Sequence, residues 1–208
     1  MKVKLTLLDD MLGTMPTQKS IWTDYVAGKM TKGMKRDGKT EDEINAELES
    51  TLDGVEDIDE LERGLTGFLK DEKGYYIPHY MVKGLLKEAG RVMKEFGKGK
   101  TAIKQLQSKV SHGVFISPNK IYVAPADAKL EICERPLRAD TPKGPRTSIA
   151  RSYVIPAGTI LEFEVHVPYG TLPDKCIVAM LDHGRWSGLG QWRSAGKGRF
   201  SWEDVSDQ

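Results

Sequence analysis

The chain predicts an α+β fold, an antiparallel sheet with helices on one face. Three observations carry this. Val3, Leu5 and Leu7 alternate with Lys2, Lys4 and Thr6, the period of a half-buried strand. Met81, Val82, Leu85, Leu86, Ala89, Val92, Met93 and Phe96 form one apolar stripe with helical spacing. After residue 113 most of the chain reads as short strands separated by proline and glycine.

Each element follows from local chemistry. A loop at Gly13 to Pro16 ends the first strand. Residues 20–34 read as a helix with Ser20 as its cap. Thr40 and Glu43 form a capping box that opens an acidic helix reaching Leu52. Residues 17–62 therefore read as a helical insertion on the surface. Residues 64–77 suggest a hairpin turning at Asp71 to Gly74, and Pro78 ends it. The long helix follows, closed by Gly97 and Gly99. Short strands are expected at 114–116, 120–123 and 130–133. Residues 135–151 are rich in arginine and proline without apolar periodicity, and predict a long, exposed, basic connection. Ser152 to Ile155 and Thr159 to Val167 flank a tight turn at Pro156-Ala157-Gly158, with Ile160, Phe163, Val165 and Val167 as the buried set. Leu172 to Leu181 reads as a helix with Pro173 in its first turn. Phe200 to Trp202 makes a last strand. The order suits an RRM-like (ferredoxin-like) core in a single domain of residues 1–208.

Composition sets further bounds. Hydrophobic residues make up 39% of the 208, enough for a substantial core. The 31 basic and 30 acidic residues nearly cancel, but they are segregated. Residues 37–62 are acidic, whereas 83–109 and 135–151 are basic, so a basic face can attract phosphate despite the neutral total. Cys133 and Cys176 lack metal or CxxC spacing and read as reduced thiols of a cytoplasmic protein. No apolar run approaches a membrane span, so no membrane partner is expected.

The most informative stretch is LDHGRWSGLGQWRSAGKGRFSW, Leu181 to Trp202. Gly188, Gly190, Gly196 and Gly198 alternate with Arg185, Arg193, Lys197 and Arg199 and with Trp186 and Trp192. Glycine lets backbone approach closely, arginine offers a fork of donors to phosphate, and tryptophan offers a face to a base. A glycine-rich hairpin with core-facing tryptophans is the competing reading. Lys83, Lys87 and Arg91 form a basic row on the long helix. Solvated lysines would produce the same row.

Three segments together resemble the RAMP superfamily, the RNA-binding subunits of CRISPR ribonucleoprotein complexes. GYYIPHYMVKGLLKEAGRV, residues 74–92, resembles the family segment that enters the first core helix, with Ile77, Pro78, Lys83, Gly84 and Leu85 matching. His79-Tyr80-Met81 departs from the family's usual glycine-serine-serine. YVIPAGTILEFEVHV, residues 153–167, resembles its strand pair before the second core helix. Gly188, Gly190, Arg193, Ser194, Gly196 and Gly198 match its C-terminal glycine-rich loop. Residues 17–62 match nothing in that pattern.

The resemblance implies non-catalytic binding of single-stranded guide RNA within a ribonucleoprotein. The partners would be RNA and other subunits, including copies of this chain. Lys83, Lys87 and Arg91 would meet RNA from the helix. Arg185, Trp192, Arg193, Lys197 and Arg199 would do so from the glycine-rich loop, and Arg138 and Arg146 from the basic connection. Two other readings remain open. One is a phage-encoded relative that antagonises CRISPR immunity by subunit mimicry or guide sequestration. The other is an RNA-processing endoribonuclease. His79, His112, His166 and His183 show no ligand spacing, and the Asp9-Asp10 pair is more typical of a turn than of a metal site. No catalytic residue, metal ligand or cofactor is assigned.

Overall fold

The computed structural model describes residues 1–16, 65–125, 130–141 and 144–206. The predicted insertion at 17–62 lies outside them. In chain order the elements begin with β1 (Lys2–Leu7), β2 (Met11–Leu12), β3 (Met15–Pro16), β4 (Leu65–Gly67), β5 (Leu69–Asp71) and β6 (Gly74–Pro78). Then come α1 (His79–Met93), β7 (Glu95–Phe96), β8 (Ile103–Lys104), α2 (Leu106–Gly113), β9 (Phe115–Ser117) and β10 (Lys120–Ala124). β11 (Glu131–Thr141), β12 (Gly144–Ile155), β13 (Ile160–His166), α3 (Asp174–Ser187) and β14 (Phe200–Asp204) complete the fold.

The architecture is α+β and RRM-like. The larger sheet runs β14-β1-β13-β10-β6-β5, with β9 also paired to β13, and every pairing in it is antiparallel. β1 lies between β13 and β14, with Leu5 opposite Leu161 on one side and Trp202 on the other. Val3, Leu5 and Leu7 are buried while Lys2, Lys4 and Thr6 are not, as the alternation predicts. β13 buries Leu161, Phe163 and Val165. The expected set differs at its ends, since Ile160 and Val167 are only half-buried. α1 buries Val82, Leu85, Leu86, Ala89 and Gly90 and packs against α2 and α3. At the α1–α3 crossing, a Cβ on Gly184 would come within 2.7 Å of Leu85 Cδ2, so the helices touch there because glycine permits it.

Four sequence expectations change. α1 stops at Met93, where Lys94 adopts φ 61° and donates its N–H to Gly90 O, before the predicted glycines are reached. α2 had no visible signal, because eight residues holding Leu106 and Val110 are too short for a periodic pattern. α3 runs past Leu181 to Ser187, so Arg185 and Trp186 belong to a helix rather than to the glycine-rich loop.

The largest correction concerns residues 135–151. They are not an irregular connection. β11 and β12 pair without interruption from Glu131↔Val154 to Thr141↔Gly144. Among the described residues β11 has no second partner strand, so the missing N–H of Pro136 can face an open edge. β12 joins the second sheet through β4, in parallel at Arg151↔Leu65, and through β2 at Val154↔Leu12. Beyond these anchors the ribbon has two strands only among the described residues, and exposes Leu137 and Ile149.

This division predicts unequal costs. Phe163→Ala should lower stability by about 3–5 kcal/mol in urea unfolding, since Phe163 is 2% exposed. Ile149→Ser should stay within about 0.5 kcal/mol. An equal loss from both would place the ribbon inside the core.

Candidate nucleic-acid interface

The segment from Gly188 to Arg199 is strapped to the β1–β2 connection by backbone hydrogen bonds. Gly198 N–H donates to Asp10 O at 2.8 Å, Gln191 N–H to Leu12 O at 3.2 Å, and Leu8 N–H to Arg199 O at 2.8 Å. The loop also crosses itself, with Leu189 N–H donating to Gly198 O at 2.9 Å. A Cβ on Gly198 would overlap the Leu189 carbonyl, and one on Gly190 would lie 2.5 Å from Leu12 O. Both residues have positive φ, 74° and 84°. Glycine is therefore required by packing here, whatever the loop binds.

The loop's cations face carboxylates. Arg193 Nη1 donates to Glu88 Oε2 on α1 at 2.8 Å. Lys197 Nζ donates to Asp10 Oδ2 at 2.8 Å, and Arg199 Nε to Asp9 Oδ2 at 2.7 Å. Asp9 and Asp10 thus clamp the loop by backbone and side chain together. The hydrogen bond from Lys197 holds the Asp10 carboxyl below the usual carboxylate range and pushes the Lys197 ammonium up.

Between this loop and α1 lies a cleft of about 310 Å³, lined by Tyr80, Met81, Gly84, Leu85 and Glu88 from α1 and by Gly188, Leu189, Gly190 and Arg193 from the loop. Thr14 and Met15 close one end. Two motifs about a hundred residues apart in sequence thus form the walls of one groove. Gly84 is exposed, and a Cβ there would meet nothing within 4 Å.

The remaining predicted residues fall in three places. Lys87 and Arg91 share the outer stripe of α1 with Tyr80 and Gly84, and neither has an ion-pair partner among the described residues. Lys83 lies towards β9, its Nζ 5.2 Å from the Phe115 ring centroid. Arg185 covers the Trp186 ring on the last turn of α3. Arg138 is exposed on the ribbon, and Arg146 stands opposite Ala139 in its ladder. The structure therefore gathers the loop and the outer stripe of α1 around the cleft, and leaves Arg185 and the ribbon arginines on other elements. Sequence reading missed Arg135 as a site residue. It is buried on β11 beneath Trp192, its guanidinium 5.4 Å from the ring centroid, and its Nη2 donates to Gln191 Oε1 at 2.6 Å.

No family model matches the chain, and no curated protein does. Among solved structures it is similar to a chain in the cryo-EM structure of the Type III-B Cmr-beta bound to cognate target RNA. Identity is 13% and the TM-score 0.48, over 98% of this chain and 58% of that one. The chain thus spans under two thirds of that chain's length.

The solvent face of β1 and β13 carries Lys2↔Glu164 and Lys4↔Glu162, not the aromatic platform that stacks bases on an RRM sheet. Tyr122 on β10 is tied to Asp71, which also receives the Lys120 ammonium. His166 Nε2 faces both Ser117 Oγ at 2.7 Å and Glu164 Oε2 at 3.3 Å. One ring nitrogen meets both partners, so this is no relay of the kind that activates a serine. His79 is half-buried, burial pushes its imidazole below the usual value, and no hydrogen bond joins it to His183 among the described residues. No group of three metal-ligating side chains occurs among the described residues. No described helix is long and apolar enough to cross a membrane.

Two predictions test the clamp. Gly198→Ala and Gly196→Ala both place alanine at positive φ, at 74° and 82°. Only the first meets backbone, so it should cost at least about 1–3 kcal/mol more in thermal unfolding. Equal costs would remove the packing explanation. The second concerns pH. Asp10 has a lowered folded pKa, so its contribution is full above the unfolded value of about 3.9 and is lost as pH falls through the folded value. Lys197→Met should reduce stability at pH 7 by less than about 1 kcal/mol, because the pair is partly exposed. The gap between the two proteins should close in melts taken below about pH 4.

Proposed function

We propose that this chain binds single-stranded RNA without cutting it, as an RNA-binding subunit of a CRISPR-type ribonucleoprotein. The observation that carries the reading is the cleft between α1 and the glycine-rich loop. It unites two of the three segments that resemble RAMP motifs, and it offers an open glycine surface with Arg193 on the facing wall. Lys87 and Arg91 share the outer stripe of α1 with Tyr80 and Gly84, which line the cleft, and as cations with no ion-pair partner among the described residues they suit sequence-independent phosphate contacts. Trp192, 42% exposed, supplies a stacking face beside Arg193. Arg193, Lys197 and Arg199 act differently from simple phosphate donors. They hold the loop in place, and only Arg193 also faces the cleft. Arg138 and Arg146 of the ribbon would serve RNA or a neighbouring subunit, and exposed Ile132, Leu137 and Ile149 favour the subunit.

The test is titration of a labelled single strand at two salt concentrations. Affinity should fall as salt rises, with a negative slope of log affinity against log salt. Lys87→Glu with Arg91→Glu should weaken binding by about tenfold or more at low salt, with melting unchanged. No binding by the parent protein at low salt would overturn the reading. Unchanged affinity in the double variant would move the contact away from α1.

A further inference from the structure

Arg135 is the one basic side chain that the fold buries among the described residues, at 9% exposure. Its Nη2 is satisfied by Gln191 Oε1, but Nε and Nη1 have no hydrogen-bond partner among the described residues. No carboxylate lies within ion-pair distance of it there either. A buried guanidinium with two of its three nitrogens unmet is unfavourable, and an apolar side chain would serve the fold better at this position opposite Ala150. The hydrogen bond to Gln191 and the Trp192 ring use one nitrogen and one face of the guanidinium, and leave its other two nitrogens without a role in the fold of the described residues.

The residue covering it is unusual as well. Trp192 sits at φ 55°, ψ 35°, the left-handed region that bulky residues avoid. One face of its ring meets the guanidinium, yet the residue is 42% exposed. Strained backbone of this kind persists at ligand clamps, where a side chain is held ready for a second arrangement. Gln191 is itself fixed, donating Nε2 to Thr66 Oγ1 at 3.3 Å, so its carbonyl oxygen points at Arg135 and orients it.

We propose that Arg135 and Trp192 form a nucleotide subsite beside the cleft. The unmet donors of Arg135 take one phosphate of the strand, and Trp192 moves off the guanidinium to stack on the adjoining base. The pairing selects this ligand chemistry. A lone carboxylate would use the arginine but not the ring, whereas a phosphodiester with its base uses both. The inference rests on the RNA-binding reading for its ligand, but the anion site is testable without it.

The experiment uses the full chain, a short labelled oligouridylate and inorganic phosphate. Arg135→Met keeps length and burial but removes the donors. Its Kd for the oligouridylate should rise by about tenfold or more, as expected for a charged hydrogen bond, with a Tm equal to or above the parent's. A lowered Tm with unchanged Kd would show a structural arginine and overturn the proposal, leaving the RNA-binding reading intact. Trp192→Gly relieves the backbone and should also raise Kd while leaving Tm level or higher; unchanged Kd would overturn the stacking role. If the parent binds no oligouridylate, the RNA-binding reading fails separately. Inorganic phosphate then decides the site. A Tm rise in the parent but not in Arg135→Met supports it, and a rise in neither overturns it.

Discussion

At Gly198 the chain passes so close to Leu189 that any side chain would overlap the carbonyl there, and much of the candidate interface depends on that crossing. With glycine in place, Gly198 N–H reaches Asp10 O and Leu189 N–H reaches Gly198 O. The loop is thereby folded back on the end of β1, the strand at the heart of the larger sheet. Arg193 then reaches Glu88 on α1, and both residues line the cleft. The ion pairs add less to this hold, since each is partly exposed and worth under about 1 kcal/mol.

The clamp changes how the basic residues are understood. A count of arginines near glycines suggests a row of donors free to grip phosphate. In the folded chain three of those cations are neutralised by Asp9, Asp10 and Glu88. Lys87 and Arg91, on the outer stripe of α1, have no such carboxylate partner among the described residues.

The β11–β12 ribbon shows a different balance. Its base is anchored by β2 and β4, and Arg135 and Ser152 are buried there. Its outer part has no third strand among the described residues and leaves apolar side chains in solvent. Two-stranded ribbons gain little stability by themselves. The outer part is thus a surface available for contacts with other molecules rather than a support for the core.

Several features were legible from the residues alone. Alternation marked β1, the apolar stripe marked α1, and Asp71 to Gly74 marked the β5–β6 turn, because each depends on neighbours a few positions away. The pairing of α1 with the glycine-rich loop was suggested only through the family resemblance. Three things needed the tertiary structure. The prolines of residues 135–151 hid the outer parts of two strands, β11 and β12, because an open edge tolerates a missing donor and sequence does not reveal which edge is open. α2 escaped notice because its two apolar residues gain meaning only against α1. Arg193, Lys197 and Arg199 looked alike in sequence. Their partners lie about 105 to 190 positions away, and only folding brings those charges within hydrogen-bond reach.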